Sequence, residues 1–232
     1  MQQVGYRRFV PDVLGSPPRP PRPPGPRDGR SSRWTEHRRA RLEELVIAGV
    51  EAVRLVGPDF AVEDVARAAG VSKTVLYRYF GDKDELVDAL LEQVATAVLL
   101  PRLLGELATP RADDRERLRA VVAAFVRFVE DEPALYRFAY AHAGRSGRPD
   151  AVAGTGLAVA EALAGLMRDR LAAAGWPPDG ASTWAHGVVG MVQLAAQWWS
   201  GARTVPAAEL VDQLTALAWG GLSTVLPYGG TA

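Results

Sequence analysis

The chain has 232 residues, with 27 Lys and Arg against 27 Asp and Glu, and no cysteine. The missing cysteine excludes a disulfide framework, a thiolate zinc site and a cysteine nucleophile. The balanced total hides an asymmetry: residues 1–83 carry 15 basic against 10 acidic side chains, and residues 84–232 carry 12 against 17. That distribution suggests an N-terminal part that meets an anion and a C-terminal part that does not. A hydrophobic share of 48% is enough to build a buried core. No run approaches the ~20 apolar residues of a membrane span, and Pro11 interrupts any leader-like stretch. A cytoplasmic protein without membrane association is expected.

Residues 1–33 read as a disordered Pro/Arg-rich arm. The run from Ser16 to Pro26 cannot form a helix, because most of its residues lack an amide donor or precede a proline. Thr35 is the N-cap candidate of the first helix. Leu42, Leu45, Val46, Gly49, Val53 and Val56 then recur at helical spacing until Gly57-Pro58. A short helix over 62–69 ends at Gly70. A second, capped by Ser72, runs to about Tyr79. A long helix capped by Asp82 reaches Leu100, where Pro101 is expected to stop it. Further helices are expected at 113–130, 133–143, 151–174, 181–201 and 206–226, with Pro133 and Pro206 in tolerated first-turn positions. No segment alternates with a period of two, so the fold class is all-α with about nine helices.

Two short helices joined by a tight glycine turn form a helix-turn-helix. Val65, Ala66, Val71, Leu76 and Phe80 supply its small core. The second helix keeps Ser72, Lys73, Thr74, Tyr77 and Arg78 on its outer face. Such a helix enters the major groove, and its first turn suits phosphate through free amides and the dipole. The chain's two lysines, Lys73 and Lys83, both stand at helix starts in this segment.

The run Gly70-Val71-Ser72-Lys73-Thr74-Val75-Leu76-Tyr77-Arg78-Tyr79-Phe80, followed by Lys83 and Leu86, resembles the signature of the TetR family of transcriptional regulators. The resemblance covers about residues 35–90. It implies an N-terminal three-helix bundle with the helix-turn-helix over 34–83 and a ligand-binding and dimerisation domain over 84–232. It also implies a homodimer on a palindromic double-stranded DNA operator, released by a small-molecule effector and acting as a repressor. By the same resemblance Thr35 touches phosphate, Ser72, Lys73 and Thr74 open the recognition helix, and Tyr77, Tyr79 and Lys83 hold the backbone. Thr74 and Arg78 then contact bases. Ala61 departs from the family pattern, which has Thr or Ser at this cap. An alanine cap costs about 1 kcal/mol of helix stability, which Glu63 and Asp64 offset in part through the dipole.

The remainder carries no catalytic constellation. His37, His142 and His186 show no metal-ligand spacing, so no metal, cofactor or enzymatic activity is expected. Large side chains among alanines and glycines leave room for a pocket between helices. Its expected lining is Phe125, Phe128, Tyr136, Tyr140, His142, Met167, Met191 and Gln193. The last two helices are apolar nearly all round and need a partner chain. The expected dimer residues are Trp184, Gly187, Val188, Gly190, Trp198, Leu214, Leu217 and Leu222. Two rivals remain: a bundle enzyme with a vestigial DNA head, and a ligand-binding helical dimer that has lost DNA binding.

Overall fold

The structure, a computed structural model, describes residues 29–142 and 151–224, with side chains from residue 36 in the first stretch and 153 in the second. The arm over 1–28 and the side chain of Thr35 lie outside the described residues. The chain divides into two compact units, Met1–Arg38 and Arg39–Ala232. In the first, helix α1 (Gly29–Val56) already begins. Thr35 therefore stands inside a helix and not at its cap, and residues 29–33 do not belong to an irregular arm.

The second unit continues α1 and adds α2 (Val62–Ala68), α3 (Lys73–Phe80) and α4 (Lys83–Gln93). Leu45, Val50 and Val53 of α1 share one buried core with Val65, Leu76, Phe80 and Leu90. Gly49 permits the close approach of α1 and α4: a Cβ there would stand 2.5 Å from a Leu90 methyl.

Pro101 does not end the fourth helix. A π-helical segment (Val94–Leu99) follows α4 and leads directly into α5 (Leu100–Ala108). The Leu100 amide donates to the Ala95 carbonyl, five residues back. Such a widened turn gives slack to the ladder just before a residue that has no N–H and whose ring crowds the preceding turn. The expected stop thus becomes a register shift within one continuous helix.

Then follow α6 (Asp114–Asp131), α7 (Pro133–His142), α8 (Ala151–Ala173), α9 (Ala181–Ala202) and α10 (Ala207–Leu222). With α4, the π segment and α5 taken as one, nine helices and no strand occur among the described residues. The last helix ends at Leu222, short of the expected Leu226, with Ser223 as its C-cap. Packing of α8 on α9 and of α10 on α6 builds the C-terminal core. Arg54 at the end of α1 donates from Nε and Nη2 to the two carboxylate oxygens of Glu132, at 2.9 and 3.0 Å. This two-pronged pair ties α1 to the α6–α7 corner, and the adjacent carboxylates hold the guanidinium above its ordinary pKa.

Candidate nucleic-acid interface and ligand cavity

The turn between α2 and α3 is set by Gly70, whose φ of 63° lies in the left-handed region. There the Val71 amide donates to the Ala66 carbonyl at 2.9 Å and the Gly70 amide to the Arg67 carbonyl at 3.2 Å. These two bonds form a Schellman C-cap, which satisfies carbonyls that the helix end leaves open. The Ser72 backbone is extended, and its Oγ accepts from the Val75 amide at 3.3 Å, so α3 starts where the sequence places it.

Leu76 and Phe80 anchor α3 inward. Ser72, Lys73, Thr74, Tyr77 and Arg78 are exposed, and Tyr79 is half-buried with the Arg78 guanidinium 5.8 Å from its ring centre. Spacings of three and four put the exposed side chains on a single helix face. Lys83 folds back: its Nζ donates to the Phe60 carbonyl at 3.4 Å and sits 5.4 Å from the Phe60 ring centre.

Two contacts were not read from the sequence. Asp64 accepts the Ala61 amide at 2.8 Å, which is one half of a capping box. That bond holds the Asp64 carboxylate below its ordinary pKa, as does Arg67. The offset for the alanine cap is therefore a direct hydrogen bond in addition to a dipole effect; the signal was an acidic residue three positions after the cap. Secondly, Lys73 pairs with Glu63 of α2. Their hydrogen bond lowers the glutamate pKa and raises that of the lysine. This carboxylate competes with phosphate for Lys73.

In the C-terminal part a cavity of about 360 Å³ lies between α5, α6, α8, α9 and α10. Of the expected lining residues, Phe125, Met167 and Gln193 face it. Phe128, Tyr136 and Tyr140 instead line a smaller cavity of about 30 Å³, together with Phe125 and Gln193. The Tyr136 hydroxyl is buried without a hydrogen bond, and burial pushes its pKa up. His142 lines neither cavity: Tyr136 and Tyr140 share one face of α7, and His142 stands on the other, its ring tilted against that of Phe138 and hydrogen-bonded to the Phe138 carbonyl at 3.0 Å. Met191 is half-buried and also lines neither; Val188, Val189 and Val192 take that wall. Sequence reading missed Thr155 and Arg117, polar residues of the cavity wall that carry no motif.

The expected pairing residues divide. Gly187, Gly190, Trp198 and Leu217 are exposed, and Trp184 is half-buried. Val188, half-buried, and Leu222, buried, face the large cavity, and Leu214 is buried. Leu214 and Leu222 lie on the inward face of α10, so they cannot form an outer surface. Leu194, missed from sequence, is 69% exposed and continues the outer face of α9.

A capped two-helix unit with a polar, aromatic and cationic outer face defines a helix-turn-helix DNA-binding protein. Residues 48–90 match the family model for bacterial regulatory proteins of the tetR family, and residues 103–230 match the tetracyclin repressor-like C-terminal domain. An uncharacterized HTH-type transcriptional regulator of Mycobacterium tuberculosis is 35% identical over 202 residues, covering 87% of this chain and 86% of that protein. The transcriptional activator FasR of Mycolicibacterium smegmatis is 32% identical over 166 residues, 71% of this chain and 74% of FasR. The chain belongs to the TetR family of transcriptional regulators.

Solved structures share the fold. A TetR-like regulator from Rhodococcus sp. RHA1 superposes with a TM-score of 0.59 at 24% identity, over 79% of this chain and 96% of that one. FadR from Bacillus subtilis in complex with stearoyl-CoA gives 0.60 at 16% identity, over 77% and 98%. No helix among the described residues is long and apolar enough to cross a membrane.

Proposed function

We propose that this regulator represses transcription as a homodimer on a palindromic operator and leaves it when a small molecule fills the C-terminal cavity. The division of labour is the one expected from sequence, with residues 34–83 reading DNA and residues 84–232 binding the effector and the partner chain. No catalysis enters this reading, and the protein acts in the cytoplasm.

The observation that carries the DNA reading is the outer face of α3, where Ser72, Lys73, Thr74, Tyr77 and Arg78 are all solvent-accessible. Thr74 and Arg78 are the base-contacting pair. Tyr77, Tyr79, Lys83 and Thr35 hold the sugar-phosphate backbone. A two-fold pair spaces its recognition helices by about 34 Å, one turn of duplex.

The effector reading is supported by the largely apolar walls of the cavity and by the fold shared with FadR, which was solved with stearoyl-CoA. A ligand with a long apolar part suits such walls. Repression is the commoner case in the family, and in it a departing protein uncovers the promoter. A transcription assay with purified components checks this, and activation in place of repression would bring the chain into line with FasR.

The test begins with in vitro selection of duplexes from genomic DNA, followed by anisotropy titration on the recovered site. Recovery of no palindromic site would favour a ligand-binding protein without a DNA role. On that site Lys83→Ala is expected to weaken all sequences alike and to lower the salt slope by about one unit. A change of sequence preference in this variant would move Lys83 from backbone to base contact.

Glu63→Gln has the opposite expected sign. It frees Lys73 from its carboxylate partner and removes a negative charge beside the duplex. Affinity should rise several-fold for every sequence, and the salt slope should steepen by up to about 0.9. Unchanged affinity and slope would show that Lys73 makes no phosphate contact.

A further inference from the structure

The large cavity is long, and its two ends are polar. Its wall on α8 runs from Thr155 to Ala173. Thr155 and Arg170 are separated by about 22 Å at the helical rise. Helix α9 returns along α8: Arg168 Nη1 donates to Ser182 Oγ at 3.3 Å near one end, and Gln193 lies against Gly156 near the other. At the outer end Asp169, Arg170 and Ala173 are exposed. At the inner end Thr155 and Gln193 line both this cavity and the small one beside it. Between the ends stand apolar side chains such as Leu118, Val122, Val159 and Met167.

The outer end has a donor to spare. Asp114 accepts from Arg117 Nη1 at 2.6 Å, from Arg170 Nη2 at 3.1 Å and from Arg170 Nε at 3.0 Å. One carboxylate thus serves two guanidinium groups, with Asp169 on the solvent side of the rim. Arg117 Nε is buried with no acceptor. A buried donor in that state gains from an incoming oxygen.

The inner end has a second one. The Tyr136 hydroxyl is buried without a hydrogen bond and borders the small cavity of about 30 Å³. Such a space holds a group of about the size of one or two waters. The Gln193 amide stands at the boundary, and Gly156 makes its seat: a Cβ there would be 2.7 Å from Gln193 Nε2. Thr155 is 6% exposed on the same boundary. A phenol hydroxyl and an amide together can donate to an oxygen and accept from a hydroxyl. Among the described residues no charged side chain lines the small cavity. A neutral oxygen therefore finds partners there, whereas a charge would be buried without a counter-ion.

We infer that the cavity is built for a long apolar molecule oxygenated at both ends. A carboxyl or carbonyl oxygen meets Arg117 at the outer end, and a neutral hydroxyl or keto oxygen meets Gln193 and Tyr136 at the inner end. This rests on the reading of the cavity as the effector site and supplies the chemistry of the ligand. Arg117 alone would admit any acid with an apolar tail. The inner groups add selection for the tail's far terminus. In a wholly apolar tube a terminal hydroxyl loses water and gains nothing, so it lowers affinity. Here it replaces water with protein partners and raises affinity. The sign of the effect decides between the two.

The test uses the full chain and calorimetry with three probes of one chain length: hexadecanoic acid, ω-hydroxyhexadecanoic acid and hexadecanedioic acid. The terminal hydroxyl is expected to tighten binding about three- to tenfold, the yield of one or two neutral hydrogen bonds. The second carboxylate should bind more weakly than the hydroxyl. Shorter ω-hydroxy acids, which cannot reach both ends, should show no gain over their parent acids. Tyr136→Phe and Gln193→Leu should each move the ratio of hydroxy-acid to plain-acid affinity toward one. Arg117→Lys keeps the charge but lacks the Nε donor, and should weaken all three probes about tenfold. A terminal hydroxyl that leaves affinity unchanged or lowers it would mean that water alone satisfies Tyr136, and the two-ended ligand is then lost while the cavity reading stands. A gain that survives both inner substitutions, a diacid that binds as tightly as the hydroxy acid, or an Arg117→Lys variant of full affinity would each overturn it as well. Failure of all three probes to bind the wild type removes the cavity reading together with it.

Discussion

Glutamate at both Leu194 and Leu217 is expected to yield a folded monomer whose operator affinity is lower by about 10²–10⁴-fold. That range is what linking two half-sites contributes by effective concentration. Leu194, Trp198 and Leu217 are 69%, 59% and 65% exposed in the single chain. Gly187, Gly190 and Gly201 share the outer face of α9, and an added Cβ at any of them meets nothing within 4 Å. Large apolar groups flanked by open glycines suit a second pair of helices laid close against α9 and α10. Covering each leucine is worth about 1.5–3 kcal/mol, and a two-fold interface counts each substitution twice. Within one chain the same positions touch water, so the isolated fold should change by no more than about 0.5 kcal/mol. Sedimentation reads the mass, circular dichroism the fold and anisotropy the affinity. A double variant that remains dimeric with full affinity would show that the chains pair through some other surface.

The DNA head was legible because its determinants are local. Gly70 takes the left-handed turn, Ser72 caps the next helix, and the inward positions of α3 recur at three and four residues. Each needs only its own neighbours in sequence. The cavity was legible in kind but not in outline. Tyr136 and His142 are six residues apart on α7, yet only the former meets a cavity, because the angle of α7 against α6 decides which face turns inward. The same holds for α10, where Leu214 is buried and Leu217 is exposed although both are apolar. An apolar helix does not announce its inward side. The Lys73–Glu63 pair joins residues ten apart across a turn, so it depended on the α2–α3 angle. Pro101 misled because helix propensity treats proline as a stop, whereas a π turn in front of it keeps the helix running.

Phe60→Ala is expected to cost about 3–5 kcal/mol, the usual range for deleting a core aromatic ring. That is a large share of a total stability of about 5–15 kcal/mol. Phe60 is 1% exposed and stands just before α2. Its ring makes a T-shaped contact with that of Phe138, which is fully buried on α7, and the Lys83 ammonium stands 5.4 Å from its centre. One side chain therefore supports the helix-turn-helix, the α7 wall of the smaller cavity and the lysine that opens α4. Loss of the ring should lower the denaturation midpoint and also weaken DNA binding, because Lys83 loses the surface on which it lies. Phe60→Leu separates the two effects. It keeps apolar volume, so the stability loss should be smaller, but it removes the π face worth about 0.5–1 kcal/mol to an exposed cation. A double-mutant cycle with Phe138→Leu should return a coupling of about 0.5–1.5 kcal/mol for the aromatic pair. Should Phe60→Ala unfold with the wild-type midpoint, or the two positions prove additive, the ring would not be the bracket between the DNA head and α7.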